Sequence, residues 1–379
     1  MIASPPEAPA QHRRATLHPL RVAAVEPLTD DAVTIEFEVP PELADDYEFI
    51  HGQHVSLRCA EAGDDIRRSY SICTRAGSSR LRVAVKCLPD GMFSTYARDR
   101  LRPGDVVEVV TPTGHFNTAL DATQARSYVM VAAGSGISPI LSILATVLAR
   151  EPRSTVTLLY GNRRVADIMF LEELEDLKNE HPGRFALYHV LSREEQEVEL
   201  FHGRLDRDRL GMFLDSLVPP LGVDEWFLCG PRAMIDSARE LLVQRGVDPT
   251  HIHSELFHTE SVETARRGAT PAPGRPTPPA GGAEAAAPAE VTVILDGRRS
   301  TFTLDRDGED VLDATLRARS DAPYACKGGV CGTCRAKLVS GTVEMEHCYA
   351  LEQHEIDAGF VLACQSHPTS ERVVLDFDQ

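Results

Sequence analysis

Three cysteines lie within nine residues in the C-terminal part of the chain, in the segment CKGGVCGTC. Their spacing is Cys326-x4-Cys331-x2-Cys334, and Cys364 follows in the segment VLACQSHP. Four thiolates in the order C-x4-C-x2-C…C are the ligand set of a plant-type [2Fe–2S] cluster. The glycines between them suit a loop that wraps closely around a cluster, because glycine adopts positive φ and brings N–H groups near sulfur. The spacing therefore predicts Cys326, Cys331, Cys334 and Cys364 as iron ligands.

Structural zinc and buried free thiols are the alternatives for these cysteines. Zinc modules usually pair two C-x2-C units, or one such unit with H-x3-H, and this segment contains neither pairing. The chain has nine cysteines, and its start, MIASPPEAPAQHRR, lacks the apolar run of a secretory signal, so a disulfide framework is not expected. We interpret Cys348, which lies between the last two predicted ligands, as a packed side chain.

A second group of residues, whose side chains could bind a cofactor, lies between positions 68 and 94. The segment RSYS combines an arginine, an aromatic ring and two hydroxyls, VAVK ends a β-rich run, and GMFS opens a helical pattern. A guanidinium group suits a diphosphate, an aromatic side chain suits the face of a flat cofactor, and a helix N-terminus with serine suits an anion. The group comprises Arg68, Ser69, Tyr70, Ser71, Val85, Lys86, Gly91, Met92, Phe93 and Ser94.

A third group follows apolar segments that resemble buried strands. The segment VAAGSGISPI has the order strand, glycine-rich turn, helix, and its glycines allow the backbone to approach a phosphate at the helix N-terminus. It departs from G-x-G-x-x-G because Pro139 replaces the third glycine. The segments YGNR, SR and CGP end the next three strands. The group comprises Gly134, Ser135, Gly136, Ile137, Tyr160, Gly161, Asn162, Arg163, Ser192, Arg193, Cys229, Gly230 and Pro231.

Three regions of distinct pattern must position these residues. Residues 16–121 contain short β-rich runs broken by Gly, Pro and Asp, with one helix near FSTYARDRL, and they predict an antiparallel β-barrel. Residues 122–258 alternate strands with amphipathic helices and predict a parallel sheet whose ligands lie at the carboxyl ends of the strands. Residues 290–379 combine a hairpin at Asp296-Gly297, a short helix and the cysteine segment.

Two segments lack any pattern that could form a core. Residues 1–15 are expected to be a flexible N-terminal arm. Residues 259–289 include TARRGATPAPGRPTPPAGGAEAAAPA, which is rich in Pro, Ala and Gly and contains no aromatic residue. Such a composition predicts a linker between domains.

Composition excludes several classes of function. The chain has 379 residues and a formal charge of −18, and this argues against a nucleic-acid partner, which requires clustered basic residues. The longest apolar segment, ISPILSILATVL, is interrupted by Ser, Thr and Pro and is shorter than the roughly 18 residues of a membrane span. We therefore expect no membrane association and a cytoplasmic location.

The order of the motifs resembles the ferredoxin–NADP⁺ reductase superfamily, extended by a plant-type ferredoxin domain. R-x-Y-S, V-x-V-K, G-x-x-S and G-x-G-[IV]-[ST]-P follow one another along the chain. The resemblance implies a multidomain fold with an FAD-binding antiparallel β-barrel, an α/β parallel-sheet nucleotide domain and a β-grasp ferredoxin domain. It also implies that Arg68 binds flavin phosphate, Tyr70 packs along the flavin, Ser71 hydrogen-bonds near flavin N5, and Lys86 lies close to the flavin edge.

The same resemblance implies roles around the hydride. Cys229, in the C-G-P turn, would border the nicotinamide. Glu255 would join a proton network with Ser71, and Phe257 would cover the flavin ring. Ser71, Cys229 and Glu255 are therefore the candidate catalytic residues.

Nucleotide preference depends on Ser192 and Arg193. They resemble the Ser-Arg pair that holds the 2′-phosphate in NADP-specific relatives, and a guanidinium with a short hydroxyl donor suits a dianion. The alternative is a solvated arginine at a strand end. On this basis NADPH is favoured over NADH.

The module order flavin, nucleotide, ferredoxin is similar to the reductase components of phenylacetyl-CoA epoxidases, through the segments YGNR, HGRLD, PYACKGGVC, YALE and DFDQ. The implied function is to pass electrons from NADPH through FAD and a [2Fe–2S] cluster, one at a time, to a di-iron oxygenase of phenylacetate catabolism. One alternative is the reductase of a Rieske-type 3-ketosteroid 9-alpha hydroxylase or ring hydroxylase. Others are a general diaphorase and, in another class, a non-catalytic electron carrier or redox sensor.

Overall fold

The computed structural model describes residues 15–58, 67–89, 91–256, 287–351 and 353–379. The chain forms two compact units, residues 1–258 and residues 259–379. The predicted N-terminal arm up to residue 14, most of the predicted linker, and Phe257 lie outside the described residues. Among the residues described, none of the helices has both the length and the apolar content that a membrane crossing requires.

The first half of unit one is a six-stranded antiparallel sheet. Its strands are β1 (Leu17–Thr29), β2 (Ala32–Glu38), β3 (His54–Arg58), β4 (Arg67–Ser71), β5 (Leu81–Lys86) and β6 (Val106–Val110), in the spatial order β4-β3-β6-β1-β2-β5. Ile72, directly after β4, pairs with Val83 of β5, so the two edges meet and the sheet closes. Helix α1 (Met92–Asp99) adds Phe93 to the core inside the sheet. The predicted antiparallel β-barrel is thereby confirmed.

The second half of unit one is a five-stranded parallel sheet. Its strands are β7 (Ser127–Ala133), β8 (Thr155–Asn162), β9 (Phe185–Leu191), β10 (Glu225–Gly230) and β11 (Ile252–Leu256), in the order β11-β10-β7-β8-β9. Its helices are α2 (Ile137–Arg150), α3 (Leu171–Glu180), α4 (Arg207–Ser216) and α5 (Arg232–Gln244). One core contains α2 and α3 and another contains α4 and α5, so helices cover both faces and the strands are apolar along their length. The carboxyl ends of the strands form one edge, as predicted.

Unit two is a small mixed sheet. Its strands are β12 (Ala289–Leu295), β13 (Arg298–Leu304), β14 (Arg335–Ser340), β15 (Val343–Met345), β16 (Phe360–Leu362), β17 (Ser366–Pro368) and β18 (Arg372–Asp376), and its helices are α6 (Val311–Ala318) and α7 (Gln353–Asp357). Five strands have the order β13-β12-β18-β14-β16, and β15 pairs with β17. Strands β12 and β18 are parallel, whereas β13 and β14 join them antiparallel, and α6 packs its apolar side on this sheet.

The hairpin between β12 and β13 turns at Asp296 and Gly297, as predicted. Both residues have positive φ, 58° and 66°, which a two-residue turn of this kind requires. Their N–H groups each donate to the carboxylate of Asp378 at 2.8 Å. The penultimate residue of the chain therefore stabilises the first hairpin of unit two.

Candidate functional site

The cysteine loop, residues 326–334, collects three predicted ligands, and Cys364 joins them from the turn after β16. Within the loop Lys327, Gly329 and Gly332 have φ of 50°, 76° and 67°, so the backbone turns back on itself repeatedly. Only the loop's glycines adopt such values without steric cost. The side chains of Cys331, Cys334 and Cys364 are buried, and that of Cys326 is half-buried.

The four thiols interact with one another. Cys326 hydrogen-bonds to Cys331, and this contact together with burial raises the pKa of Cys326 well above its usual range. Cys334 hydrogen-bonds to Cys364, which raises the pKa of Cys334 and lowers that of Cys364. Four thiolates at such proximity repel one another, and bound iron removes that repulsion. The donor set therefore fits an iron–sulfur cluster.

Neighbouring groups donate hydrogen bonds to these sulfurs. The N–H of Gly328 lies 3.3 Å from Cys326 Sγ, and Gln365 Nε2 lies 3.5 Å from Cys364 Sγ. Gln365 also donates to the carbonyl oxygen of Lys327 at 3.2 Å, which ties the fourth predicted ligand to the loop. Hydrogen bonds to cluster sulfurs tune the reduction potential. Gln365 is not among the predicted site residues, and its position directly after a predicted ligand was the available signal in the sequence.

In unit one, strand β4 presents the predicted flavin residues alternately on its two sides. Arg68 is exposed, and the half-buried ring of Tyr70 packs on Phe93 with 5.4 Å between centroids. Arg68 and Tyr70 share a side because they are two residues apart. Ser69 lies on the other side, with its hydroxyl 3.0 Å from that of Ser56. A guanidinium beside an aromatic ring fits a flavin, which has both a phosphate and a flat ring system.

Val85 and Lys86, at the end of β5, differ in what they can offer a cofactor. Val85 is fully buried in the barrel core, so only its backbone is available. Lys86 Nζ lies 3.1 Å from the carboxylate of Asp31, an ion pair that the sequence did not reveal.

The segment Gly91–Ser94 forms the N-terminus of α1, with Gly91 as the N-cap. Phe93 is buried and Met92 is half exposed. The hydroxyl of Ser94 donates to the carbonyl oxygen of Gly91 at 3.2 Å and accepts from the N–H of Leu88 at 3.3 Å. Ser94 therefore shapes the turn, and the donors that this site offers to a phosphate are the backbone N–H groups of the first helical turn.

The two glycines of the turn between β7 and α2 are required for different reasons, the first by its backbone conformation and the second by close packing. Gly134 has a φ of 55°, and a Cβ on Gly136 would lie 2.3 Å from the carbonyl oxygen of Cys229. Ser135 is half-buried and Ile137 is buried in the core. Helix α2 thus begins directly at the strand-end edge, and its N-terminus fits a pyrophosphate.

Two buried hydroxyls lie near this turn. Ser138 Oγ, in the first turn of α2, has no hydrogen-bond partner among the described residues, and its side chain is fully buried by protein atoms. Like Val85, it therefore offers no side-chain group to a ligand at this edge. Tyr160 is also fully buried, but it donates to the carbonyl oxygen of Gly134 at 3.0 Å, and burial raises its pKa well above the usual range. Its hydroxyl supports the turn and does not face a ligand.

The ends of β8 and β9 stay together beyond the sheet. The carbonyl oxygen of Asn162, which follows half-buried Gly161, accepts from the N–H of Ser192 at 3.0 Å and from its hydroxyl at 3.3 Å. The N–H of Arg193 donates to the carbonyl oxygen of Arg163 at 2.8 Å. Both arginine side chains are exposed, and neither forms an ion pair within the described part of the chain. Two guanidinium groups on adjacent strand ends suit a phosphate monoester.

Strand β10 ends at Cys229 and Gly230, followed by Pro231, beside Glu255 of β11. Burial raises the pKa of the Cys229 thiol well above its usual range, and the side chain belongs to the core around α2. Only the backbone of this turn therefore borders the ligand edge. Glu255, in contrast, accepts a hydrogen bond from the hydroxyl of Ser71 at 3.2 Å. The structure brings Ser71 and Glu255 together across 184 residues of chain and leaves the Cys229 sulfur in the core.

Family models match three parts of the chain. An oxidoreductase FAD-binding domain matches residues 19–118, an oxidoreductase NAD-binding domain matches residues 130–240, and a 2Fe-2S iron-sulfur cluster binding domain matches residues 293–369. The chain thus contains binding domains for FAD, a nicotinamide dinucleotide and a [2Fe–2S] cluster, in the predicted order.

Relatives with known roles extend over nearly the whole chain. A 1,2-phenylacetyl-CoA epoxidase subunit from Escherichia coli K12 is 43% identical over 96% of this chain and 98% of its own length. The ferredoxin reductase component of 3-ketosteroid-9-alpha-monooxygenase from Rhodococcus rhodochrous is 31% identical over 94% of this chain and 96% of its own. The solved structure of phthalate dioxygenase reductase is 24% identical, covers 95% of this chain and 98% of that chain, and has a TM-score of 0.58, which supports the fold.

Proposed function

Because the chain belongs to the family of oxygenase reductases that includes this 1,2-phenylacetyl-CoA epoxidase subunit, we propose that it supplies electrons to such an epoxidase, a di-iron oxygenase of phenylacetate catabolism. The chain is an oxidoreductase that carries electrons from NAD(P)H to an oxygenase partner. The observation that carries the choice of partner is the 43% identity to the epoxidase subunit over 96% of the chain, against 31% for the steroid monooxygenase component.

The bound groups supply the redox chemistry: flavin accepts a hydride and gives up electrons singly, and the cluster relays one electron at a time. In this proposal Arg68 binds the flavin diphosphate, Tyr70 packs against the flavin, and the N-terminus of α1 binds the pyrophosphate. Ser71 and Glu255 hold a proton beside the flavin, since their side chains are hydrogen-bonded at 3.2 Å. Their position at the meeting point of barrel and parallel sheet supports this role.

The chain's own groups also orient the dinucleotide. The backbone of Gly134–Gly136 receives the pyrophosphate. Arg163 and Arg193 bind the 2′-phosphate, which makes NADPH the preferred donor. Their exposed guanidinium groups at adjacent strand ends support this preference.

The arrangement of the chain is part of the proposal. Residues 16–121 bind FAD, residues 122–258 bind the nucleotide, residues 290–379 bind the cluster, and residues 259–289 connect them. Cys326, Cys331, Cys334 and Cys364 ligate the cluster. A cytoplasmic location is proposed because the four ligands need a reducing compartment to remain thiolates.

The experiment combines the purified holoprotein with the catalytic subunits of a phenylacetyl-CoA epoxidase. We expect NADPH oxidation and oxygen uptake that depend on phenylacetyl-CoA, and an oxidised spectrum that contains both flavin and [2Fe–2S] bands. Cys331→Ser is expected to abolish oxygenase support and to retain reduction of an artificial dye by NADPH, because the dye takes electrons from the flavin. Cys348→Ser, a matched change outside the proposed ligand set, is expected to retain both activities.

Other outcomes identify the alternatives. Turnover with the oxygenase of a 3-ketosteroid 9-alpha-monooxygenase, and none with the epoxidase, would assign the chain to the steroid pathway. A cluster spectrum without NADPH-dependent dye reduction would indicate an electron carrier or sensor. Dye reduction with neither oxygenase would leave a general diaphorase and would contradict the proposal.

A further inference from the structure

Helix α2 contains three fully buried hydroxyl side chains within an otherwise apolar sequence. Ser138, Ser142 and Thr146 are spaced by four residues and therefore lie on one face of the helix. A hydroxyl in the interior of a buried helix costs free energy unless it finds a partner. Part of this helix packs against the barrel, since Ala32 and Cys73 belong to the same apolar core as α2.

Two of these hydroxyls hydrogen-bond to backbone groups of the barrel. Ser142 Oγ donates to the carbonyl oxygen of Thr74 at 2.7 Å. Thr146 Oγ1 accepts from the N–H of Ala76 at 3.0 Å and donates to the carbonyl oxygen of Ser142 at 2.6 Å. These barrel groups lie in residues 73–80, which connect β4 to β5 without forming a regular strand. Helix α2 therefore supplies partners that a neighbouring strand would otherwise supply.

The hydrogen bonds between α2 and residues 73–80 join the proposed flavin site to the proposed dinucleotide site. Thr74 follows Ser71, the last residue of the flavin strand β4, by three positions. Ser142 and Thr146 belong to the helix that begins at the glycine turn for the dinucleotide. The hydrogen bonds are buried, and core packing holds the backbone on both sides. They therefore fix the distance between the barrel and α2, because water does not compete for these groups.

We propose that Ser142 and Thr146 are positioning residues for hydride transfer, because they hold the flavin barrel against the dinucleotide helix in one relative placement. The inference rests on the proposed NAD(P)H-to-flavin activity. Hydride transfer requires reacting atoms at roughly 3–3.5 Å, and a displacement of about 1 Å far from the chemistry can lower the rate by about 100-fold. Neither residue touches the reacting atoms in this proposal.

The test compares Thr146→Val, which keeps the shape and removes the hydroxyl, with Thr146→Ser, which keeps the hydroxyl. Ser142→Ala is the second variant and decides the matter if Thr146→Val does not retain FAD. Thr315→Val in α6 is the matched control: Thr315 is also fully buried and donates to the carbonyl oxygen four residues earlier at 2.7 Å, but it lies in the ferredoxin unit.

Two readouts are measured on the holoprotein. In anaerobic stopped-flow reduction by NADPH, we expect Thr146→Val and Ser142→Ala to lower the limiting rate of flavin reduction by about tenfold or more, with the nucleotide Kd unchanged within about twofold. Thr146→Ser and Thr315→Val are expected to stay within about twofold of the unmodified protein. Independently of activity, hydrogen exchange at the Ala76 amide is expected to accelerate in Thr146→Val and not in Thr146→Ser.

The opposite results are equally specific. A normal limiting rate in both Thr146→Val and Ser142→Ala, or an equal loss in Thr146→Ser, would overturn the positioning role. A loss that resides entirely in the Kd would do the same. An unmodified protein whose flavin is not reduced by either nucleotide would refute the proposed function itself, which distinguishes the two failures.

Discussion

Replacement of Gly136 by alanine is predicted to block electron entry from the nucleotide while the flavin and cluster sites remain intact. A methyl group at this position would lie 2.3 Å from the carbonyl oxygen of Cys229, 2.6 Å from its carbonyl carbon and 3.0 Å from the nitrogen of Gly230. All three are backbone atoms of β10, and Cys229 pairs with β7 on one side and with β11 on the other. They cannot rotate away as a side chain could.

The size of the effect follows from this overlap. Ordinary contacts are at least 3.4 Å, so the turn and the end of β10 must separate by about 1 Å. The turn carries the N-terminus of α2, which is the proposed site of the dinucleotide phosphate, and a displacement of about 1 Å can lower a rate by about 100-fold. Overpacking of this kind also costs about 1–3 kcal/mol of stability. We therefore expect kcat/KM for NADPH to fall by about two orders of magnitude.

The assay is anaerobic reduction of the bound flavin by NADPH, followed by its absorbance, with dithionite as a chemical reductant. FAD content, iron content and dithionite reduction are expected to match the unmodified protein. Gly183→Ala is the control, because a Cβ there meets no atom within 4 Å and the residue does not have positive φ. A Gly136→Ala protein whose kcat/KM stays within about threefold of normal would refute the reasoning.

Three further predictions concern other parts of the chain. Arg193→Ala is expected to narrow the ratio of kcat/KM for NADPH over NADH, because it removes the proposed donor to the 2′-phosphate, and an unchanged ratio would exclude that role. Burial lowers the pKa of His51 from 6.5 to about 4, so between these values the unfolded chain binds a proton that the folded chain does not. Stability is therefore expected to fall as pH decreases through this window, by up to about 3 kcal/mol, and urea unfolding of His51→Gln should show a flatter dependence. In unit two, the carboxylate of Glu355 lies 2.6 Å from the guanidinium of Arg335, and the two side chains are 6% and 9% exposed. Glu355→Gln removes this carboxylate and breaks the buried ion pair. The free energy of unfolding of unit two, followed by cluster absorbance, is expected to decrease by about 3 kcal/mol. A decrease near zero would contradict this prediction.

Strand β1 gives only a weak strand signal in the sequence. Pro19 and Pro27 lie within it, and proline is unfavourable in a central strand. The pairing with β2 accommodates one of them by a register shift between Pro27 and Thr29. Helix α7 is only five residues long, too short for apolar periodicity to reveal it.

Side-chain roles were harder to predict than side-chain identity. Tyr160 and Ser94 belong to motifs that suggest ligand contact, yet their hydroxyls bond to the carbonyl oxygens of Gly134 and Gly91. Ser142 and Thr146 appeared only as interruptions of an apolar segment. A hydroxyl can serve a ligand or the backbone equally well, and the choice depends on which group lies nearest in space.

The sequence by itself determined the chemistry of this protein, since the spacing of four cysteines, the glycine turn and the R-x-Y-S strand are local patterns that specify ligand types. It also determined the three folds, because strand and helix periodicity is local. The tertiary structure alone decided which groups meet: Ser71 with Glu255, Thr74 with Ser142, and the Cys229 thiol with the core. Ser71 and Glu255 are 184 positions apart in the sequence, and Thr74 and Ser142 are 68 positions apart. No local pattern encodes such contacts, because they arise only when separately specified elements pack together.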